Sequence, residues 1–508
     1  MSNTFDKEPF ARGIVRSSLF NLLSKAVLFC TFLVLAYYFG TGEKTDVYFF
    51  LYGTLWLAVS IFSSLHVAVI VPEAMRRREQ AGEKQGRQFF NYFFYIFLAL
   101  AGLGLGAFYV KPVALVGLIS KFDASVLQSY RSMILWFLPL FPLIVACQYL
   151  VDVMNAYRYF TRPVLTGLFN NVVAFVLLFA LHEVLDIYAM LWAAYIGYGL
   201  NLLHLLYLMR RNLAWNFAFK RVSLGRVFLS NLGVGFIGNI GNFLGKYAAN
   251  YFGSGADAGL LTAYNYGQRT TNQPTEIITN QFSSVAAIRF NELMAQTNRD
   301  KLKTVFHQSV NMLLFILVPI AVLFFFYAQD VIQILYQRGA FGAEEVRQTA
   351  FFARYLGFLI PLMGLNTLVT RLYNAGQIIR FSTIYSLIAN GIQVLLLWFA
   401  YSRWGIWGLP FALLAQNILN VLVAQIFLRI FFRGIGYGRA LGMLAGLTAL
   451  CTGLVFGLRS LLDLLPWHYL LKMGLAFLLF GLLYLGVNEA FKINRDVSLY
   501  IRKWTGLK

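Results

Sequence analysis

Lys25 and Lys246 stand in the middle of long apolar stretches of this sequence, Arg269 and Glu276 in the middle of an eighth candidate span, and Asp152, Arg354 and Arg371 nearer the ends of such stretches. A charge carried into a bilayer costs about 2.5 to 3.5 kcal/mol, so it normally faces a partner, a cavity or the head-group layer. Pairing or snorkelling accounts for Asp152, Arg354 and Arg371. Lys25 lies too deep in its stretch for that, and a hydrated lumen is expected around it. Amides gather near the other charges: Asn239 and Asn242 before Lys246, and Asn265 and Asn272 around Arg269 and Glu276. Such groups hold a polar or charged solute by hydrogen bonds and charge, or else they glue helices together.

Other chemistries lack their residues. Cys30, Cys147 and Cys451 show none of the spacing of a zinc or redox site and read as small buried hydrophobes. His66, His182, His204, His307 and His468 are scattered, with no pair at the i, i+4 spacing that grips a metal, and read as isolated helix-packing residues. No metal site and no catalytic residue is expected. No phosphate-binding loop of the GxxxxGK[ST] type occurs, so transport would draw on a Na+ or H+ gradient, the membrane potential or the substrate's own gradient, with no cofactor.

The elements that must position these groups are membrane helices. The chain has 508 residues, of which 59% are hydrophobic and only 12% charged, and its mean hydropathy is +0.65, values that require the bilayer as solvent. A hydrocarbon core of about 30 Å takes about 20 apolar residues. Runs of that length, broken by polar clusters, number about 14: residues 19–39, 47–71, 89–110, 127–151, 163–182, 186–209, 226–252, 258–282, 304–328, 347–373, 380–402, 405–428, 438–458 and 467–489. The run at 19–39 is too long for a signal-peptide core and reads as an uncleaved first span.

The formal charge is +21, and its distribution records orientation. With the N-terminus in the cytoplasm, the dense basic clusters Arg76–Arg87, Arg158–Arg162, Arg210–Arg221, Arg289–Lys303, Arg429–Arg439 and Lys492–Lys503 all fall on the cytoplasmic face. Both termini are expected inside. These short basic loops carry no nucleic-acid motif, and attraction to anionic membrane lipids is their milder consequence.

Landmarks repeat at an offset of about 215 residues. Phe39-Gly-Thr-Gly-Glu-Lys-Thr-Asp46 returns as Phe252-Gly-Ser-Gly-Ala-Asp257; Asn155-Ala156 with Asn170 and Asn171 returns as Asn374-Ala375 with Asn390. The organisation expected is an all-α membrane protein with a six-helix lobe at 1–222, a second at 223–435 related by an axis along the membrane normal, and two additional helices with a cytoplasmic tail at 436–508. The stretch from Asn265 to Gln281 is unusually polar and holds Pro274, which should kink it, while glycines at 233, 235, 238, 241 and 245 loosen the stretch before it. Asn239, Asn242, Asn265, Asn272 and Asn390 are expected to line a cavity between the halves.

FGTGEKTD followed by VYFF, AYNYGQRTTNQPTEIITNQFSSVAAIRFNEL, ILYQRGAFGAEEV and RLYNAGQIIRFSTIYSLIANGIQVLLLW resemble the MviN/MurJ-type lipid II flippases of the multidrug/oligosaccharidyl-lipid/polysaccharide exporter superfamily. The resemblance runs over most of the chain, and Gln337 to Phe341 is its most specific piece. It implies 14 spans, alternating access, a bacterial inner-membrane location, and no enzyme activity. It also implies a polyprenyl-pyrophosphate-linked saccharide as partner, either lipid II or an exopolysaccharide unit, beside proteins of cell-wall or polysaccharide synthesis. Lys25 falls at a lumenal arginine of the family, Asp46 at its acidic residue after the outer turn, and Arg269 at its eighth-helix arginine. With Lys246 and Glu276 they form the expected substrate-binding set, since cations suit a diphosphate. Further family arginines correspond to Thr31 with Phe32 and to Val59 with Ser60 here.

Two other functions compete. An ion-coupled multidrug exporter of the same superfamily would want acidic lumen residues instead of Lys25, Lys246 and Arg269. A membrane-embedded glycosyltransferase or polymerase would want paired carboxylates or arginines in a long outer loop, and the segments at 111–126 and 328–346 are short and poor in them.

Overall fold

The structure is a computed structural model that describes residues 10–376, 378–432, 434–494 and 497–498. Among these residues every regular element is helical. Eleven helices are long and apolar enough to cross a membrane, or up to 12 if a pair bent by 41° at residues 356–359 is one span. One of the eleven, Thr383–Phe431, covers two helices that meet at a short 3-10 turn, Gly405–Gly408. The expected span at 258–282 is a helix too, but its amides and threonines keep it out of the eleven.

The chain forms two compact units. Residues 1–262 with 338–341 make the first, and residues 263–337 with 342–508 the second. In the first unit α1 (Phe10–Phe39) is followed by α2 (Glu43–Leu65), which runs through one wide π-type turn, His66–Ile70, into α3 (Val71–Ala81). Then come α4 (Glu83–Val110), three short helices α5 (Pro112–Leu118), α6 (Ala124–Ser129) and α7 (Arg131–Phe137), and α8 (Leu140–Ala156), α9 (Thr161–Leu185), α10 (Tyr188–Leu213) and α11 (Arg226–Gly253). The boundary falls inside α12 (Leu260–Ala295), which is assigned as unbroken helix through residue 274. The second unit adds α13 (Arg299–Tyr336), α14 (Ala343–Leu356), α15 (Leu359–Ala375), α16 (Ile379–Trp404), α17 (Leu409–Phe431), α18 (Gly438–Asp463) and α19 (Tyr469–Phe491).

Small residues and amides set the packing in the first unit, as expected where lipid gives helices no hydrophobic drive to associate. A Cβ on Gly197 of α10 would meet the Asn170 amide of α9, and one on Gly53 of α2 would lie 2.7 Å from Asn250 Nδ2 of α11. Asn171 of α9 donates to the Ser24 carbonyl and hydroxyl of α1 at 3.0 and 2.8 Å. The loop after α10 is tied to α4 where Trp215 Nε1 donates to Asn91 Oδ1 at 2.8 Å.

In the second unit α13 is the central rod, and α18 and α19 share its core. Tyr484 stacks on Phe315 with ring centres 4.6 Å apart and donates its hydroxyl to the Phe315 carbonyl. Cys451 is buried in that core, and Cys147 is buried between α8 and α10. Cys30 corrects the expectation of three buried thiols: it is exposed, on the side of α1 turned away from its neighbours.

Candidate functional site

The outer turn of the first unit is built by glycines and one carboxylate. Gly40 adopts the left-handed conformation (φ +57°) that ends α1, and its amide donates to the Ala36 carbonyl. A Cβ there would lie 2.5 Å from the Ala340 carbonyl oxygen. Gly339 is left-handed as well (φ +61°), and a Cβ there would collide with the Tyr37 carbonyl oxygen. Ala340 N donates to that same oxygen at 2.8 Å, and Phe341 is buried. The Arg338–Phe341 segment thus lies directly on the end of α1, a close approach that only glycine permits at both places.

Asp46, in the first turn of α2, is 3% exposed. Its Oδ2 accepts from Gly259 N at 2.6 Å, and its Oδ1 accepts from Thr262 N at 2.7 Å and Thr262 Oγ1 at 2.6 Å. These donors are the otherwise orphaned amides at the start of α12, so Asp46 acts as that helix's N-terminal acceptor and sits where the helix dipole favours an anion. Both of its oxygens are thus taken up by donors at the start of α12.

The remaining expected residues lie on helix stripes. On α11, Asn239, Asn242 and Lys246 follow i, i+3, i+7; on α12, Asn265, Arg269, Asn272 and Glu276 follow i, i+4, i+7, i+11, so each helix carries one polar face. Asn239, Arg269 and Asn272 are half-buried, Asn265 is buried, and Asn242, Lys246 and Glu276 are exposed on their unit. Lys25 is half-buried on α1 beside the Ser24–Asn171 contact. Asn390 is on α16, where its amide donates to the Ser386 carbonyl at 2.7 Å.

Three threonines of α12 are satisfied within the helix. Thr270, Thr271 and Thr275 donate to the carbonyls of Tyr266, Gly267 and Thr271. Thr270 also meets the Tyr336 hydroxyl at 3.1 Å, and Gly267 lets α14 approach so closely that a Cβ would lie 2.9 Å from that of Phe352. The face opposite the charged stripe is therefore a packing surface.

Spacing gave no sign of the pair His66 and Asp152. His66, fully buried in the π-type turn, places Nδ1 3.3 Å from Asp152 Oδ2 of α8. Ser63 Oγ donates to the same oxygen at 3.1 Å, and Gln148 Nε2 donates to Asp152 Oδ1 at 3.1 Å. Tyr149 stacks on the imidazole with ring centres 3.8 Å apart. This corrects the reading of His66 as an isolated packing histidine: its partner is 86 residues away on another helix. Among the described residues no group of three or more histidine, cysteine or carboxylate side chains could hold a metal ion.

Residues 35–473 match the profile of a known family, described as lipid II flippase MurJ. The chain belongs to this family. A family member from Buchnera aphidicola subsp. Acyrthosiphon pisum, a probable lipid II flippase, is 23% identical over 410 residues, covering 78% of this chain and 80% of its own. A solved structure of lipid II flippase MurJ in an inward closed conformation has a TM-score of 0.76 at 17% identity, covering 96% of this chain and 99% of its own. A transporter of the wider superfamily from Pyrococcus furiosus has a TM-score of 0.57 at 12% identity, covering 84% and 97%. These structural likenesses speak for the fold alone, one of packed membrane helices.

Proposed function

We propose that this chain is a flippase of the inner membrane, moving a polyprenyl-pyrophosphate-linked saccharide from the cytoplasmic to the outer leaflet by alternating access. The observation that carries the reading is the family match over residues 35–473. Multiple membrane-crossing helices with polar stripes on α11 and α12 support it, because a diphosphate-sugar head group needs polar surface inside the bilayer. The substrate is a lipid II-like peptidoglycan precursor or an exopolysaccharide repeat unit. Transport breaks no covalent bond, and the cationic set of Lys25, Lys246 and Arg269 favours an anionic head over the cations of a multidrug exporter.

In this reading Lys25 and Arg269 engage the diphosphate, while Asp46 holds the start of α12 in place. Lys25→Ala and Arg269→Ala should each abolish flipping of a labelled polyprenyl-diphosphate saccharide in proteoliposomes with membrane abundance kept, and Lys25→Arg should retain part of it. Normal flipping by the Lys25→Ala, Arg269→Ala double variant would overturn the assignment. If the cations only bind helices together, the alanine variants lose folded protein instead. Competition between purified lipid II and an exopolysaccharide precursor distinguishes the two saccharides.

The distribution of basic loops supports a cytoplasmic side for both termini and the Arg76–Arg87 segment. A single cysteine introduced at Glu79 should react with an impermeant maleimide only in broken cells, and reaction in intact cells would reverse the orientation.

A further inference from the structure

The His66–Asp152 pair is not part of the polar stripes on α11 and α12, and it has the features of a reversible proton site. Both side chains are buried, at 0% and 7% exposure. Asp152 receives donors on both oxygens, from Ser63 and His66 on one and Gln148 on the other, all of them side chains. With Asp152 as carboxylate, His66 Nδ1 carries the hydrogen and donates, which leaves Nε2 as the free base. Nε2 is buried and has no hydrogen-bond partner among the described residues. The packing around the pair, made by Val59, Phe62, Phe97 and Val145, leaves no space for a water-sized sphere, so a hydrated metal cation does not fit while a proton does.

The site also sits on a deformable element. The π-type turn His66–Ile70 is closed by Val71 N donating to the His66 carbonyl, one residue wider than an α-turn, and such turns absorb register shifts. A proton added at Nε2 creates a buried N–H donor that this packing gives no acceptor, while the Nδ1 bond to Asp152 is strengthened by charge. Protonation therefore favours a rearranged turn in which Nε2 finds water or a carbonyl. The other titratable group facing the imidazole is Tyr149 of α8, and α4 contributes the Phe90 ring. Glu73, Arg76, Arg77, Arg78, Glu83 and Arg87 of α3 and α4 pair among themselves, and α11, which reaches the turn at Gly235 beside Leu65 and Val69, carries Arg226 and Lys246.

We infer that His66 and Asp152 bind one transported proton, taken up by the neutral imidazole from one side of the membrane and released to the other, and that this protonation drives the π-type turn between two shapes and couples flipping to a proton gradient. The inference rests on the flippase reading for its physiological meaning, but its proton chemistry can be read separately.

The experiment uses the full chain in nanodiscs with 15N-labelled histidine, followed by NMR from pH 5 to 9. One imidazole, absent in His66→Gln, should change protonation state within that range, and its transition should move in Asp152→Asn. A His66 signal that keeps one state throughout overturns the inference whether or not the protein flips lipid. In proteoliposomes, an imposed pH gradient should accelerate native flipping several-fold, and His66→Gln, matched for folded protein, should flip at a rate indifferent to the gradient. Full gradient response by His66→Gln overturns the coupling. Absence of native flipping of any lipid-linked saccharide overturns the flippase reading and leaves the NMR result to decide the proton site. If Asp152→Asn does not fold, Gln148→Leu, which removes one of the donors to Asp152, takes its place in the NMR measurement.

Discussion

Asp46 and Asp152 are both carboxylates buried in the first unit, yet their surroundings are opposite. Asp46 is held at the start of α12 by one hydroxyl and by two backbone amides, which cannot titrate and cannot move without unwinding a helix. Asp152 is held only by side chains, a serine, a glutamine and a histidine, each able to rotate or, for the histidine, to change charge. The first arrangement suits a permanent fastening, the second a group whose state can change. Burial alone does not make an ionisable residue functional; the chemistry of its donors decides what it can do.

That contrast can be broken most severely at Asp46. Asp46→Ala strands two amides and a hydroxyl in a buried place and should cost about 4 kcal/mol, seen as a large fall in the melting temperature of detergent-purified protein. Survival of Asp46→Ala at native stability would remove the fastening role. Next comes the neighbouring close approach: Gly339→Ala forces a left-handed alanine against the Tyr37 carbonyl and should cost about 2 to 3 kcal/mol, with protease cutting at the Arg338–Phe341 segment as the readout. Asp152→Asn should cost least, about 1 kcal/mol, because the asparagine oxygen still accepts and the rotatable donors adjust. If Asp152→Asn proved as damaging as Asp46→Ala in the same melting assay, the distinction between fastening and adjustable group would fail.

Much of this architecture was legible in the sequence because the bilayer imposes a simple rule on hydropathy. The long apolar runs became helices, and the FGTGEKTD and QRGAF segments were singled out before their contact was visible. Their meeting was not legible: Gly339 and Tyr37 are far apart in the chain, and only the structure shows that the two most family-like segments touch. The amide and charge stripes on α11 and α12 followed from helical periodicity, which needs one helix only. His66 with Asp152 did not, since a pair across two helices leaves no periodic trace. Polarity misled in one respect: Thr270, Thr271 and Thr275, which add to the polarity of the stretch from Asn265 to Gln281, spend their hydroxyls on carbonyls of their own helix.

The polarity of α12 has a consequence for how the protein is made. A segment with this many amides and charges partitions poorly into lipid on its own, since insertion responds to the summed cost of its side chains. The next helix, α13, is the most apolar of the candidate spans and follows after a turn of three residues. Rings from the two meet at Phe290 with Phe306 and at Tyr266 with Tyr336. During synthesis α12 would wait at the translocon until α13 emerges, and the two would enter the bilayer as a hairpin. Placed as a test segment in a host membrane protein with a glycosylation site beyond it, residues 260–295 alone should fail to integrate, and residues 260–336 together should integrate as a hairpin.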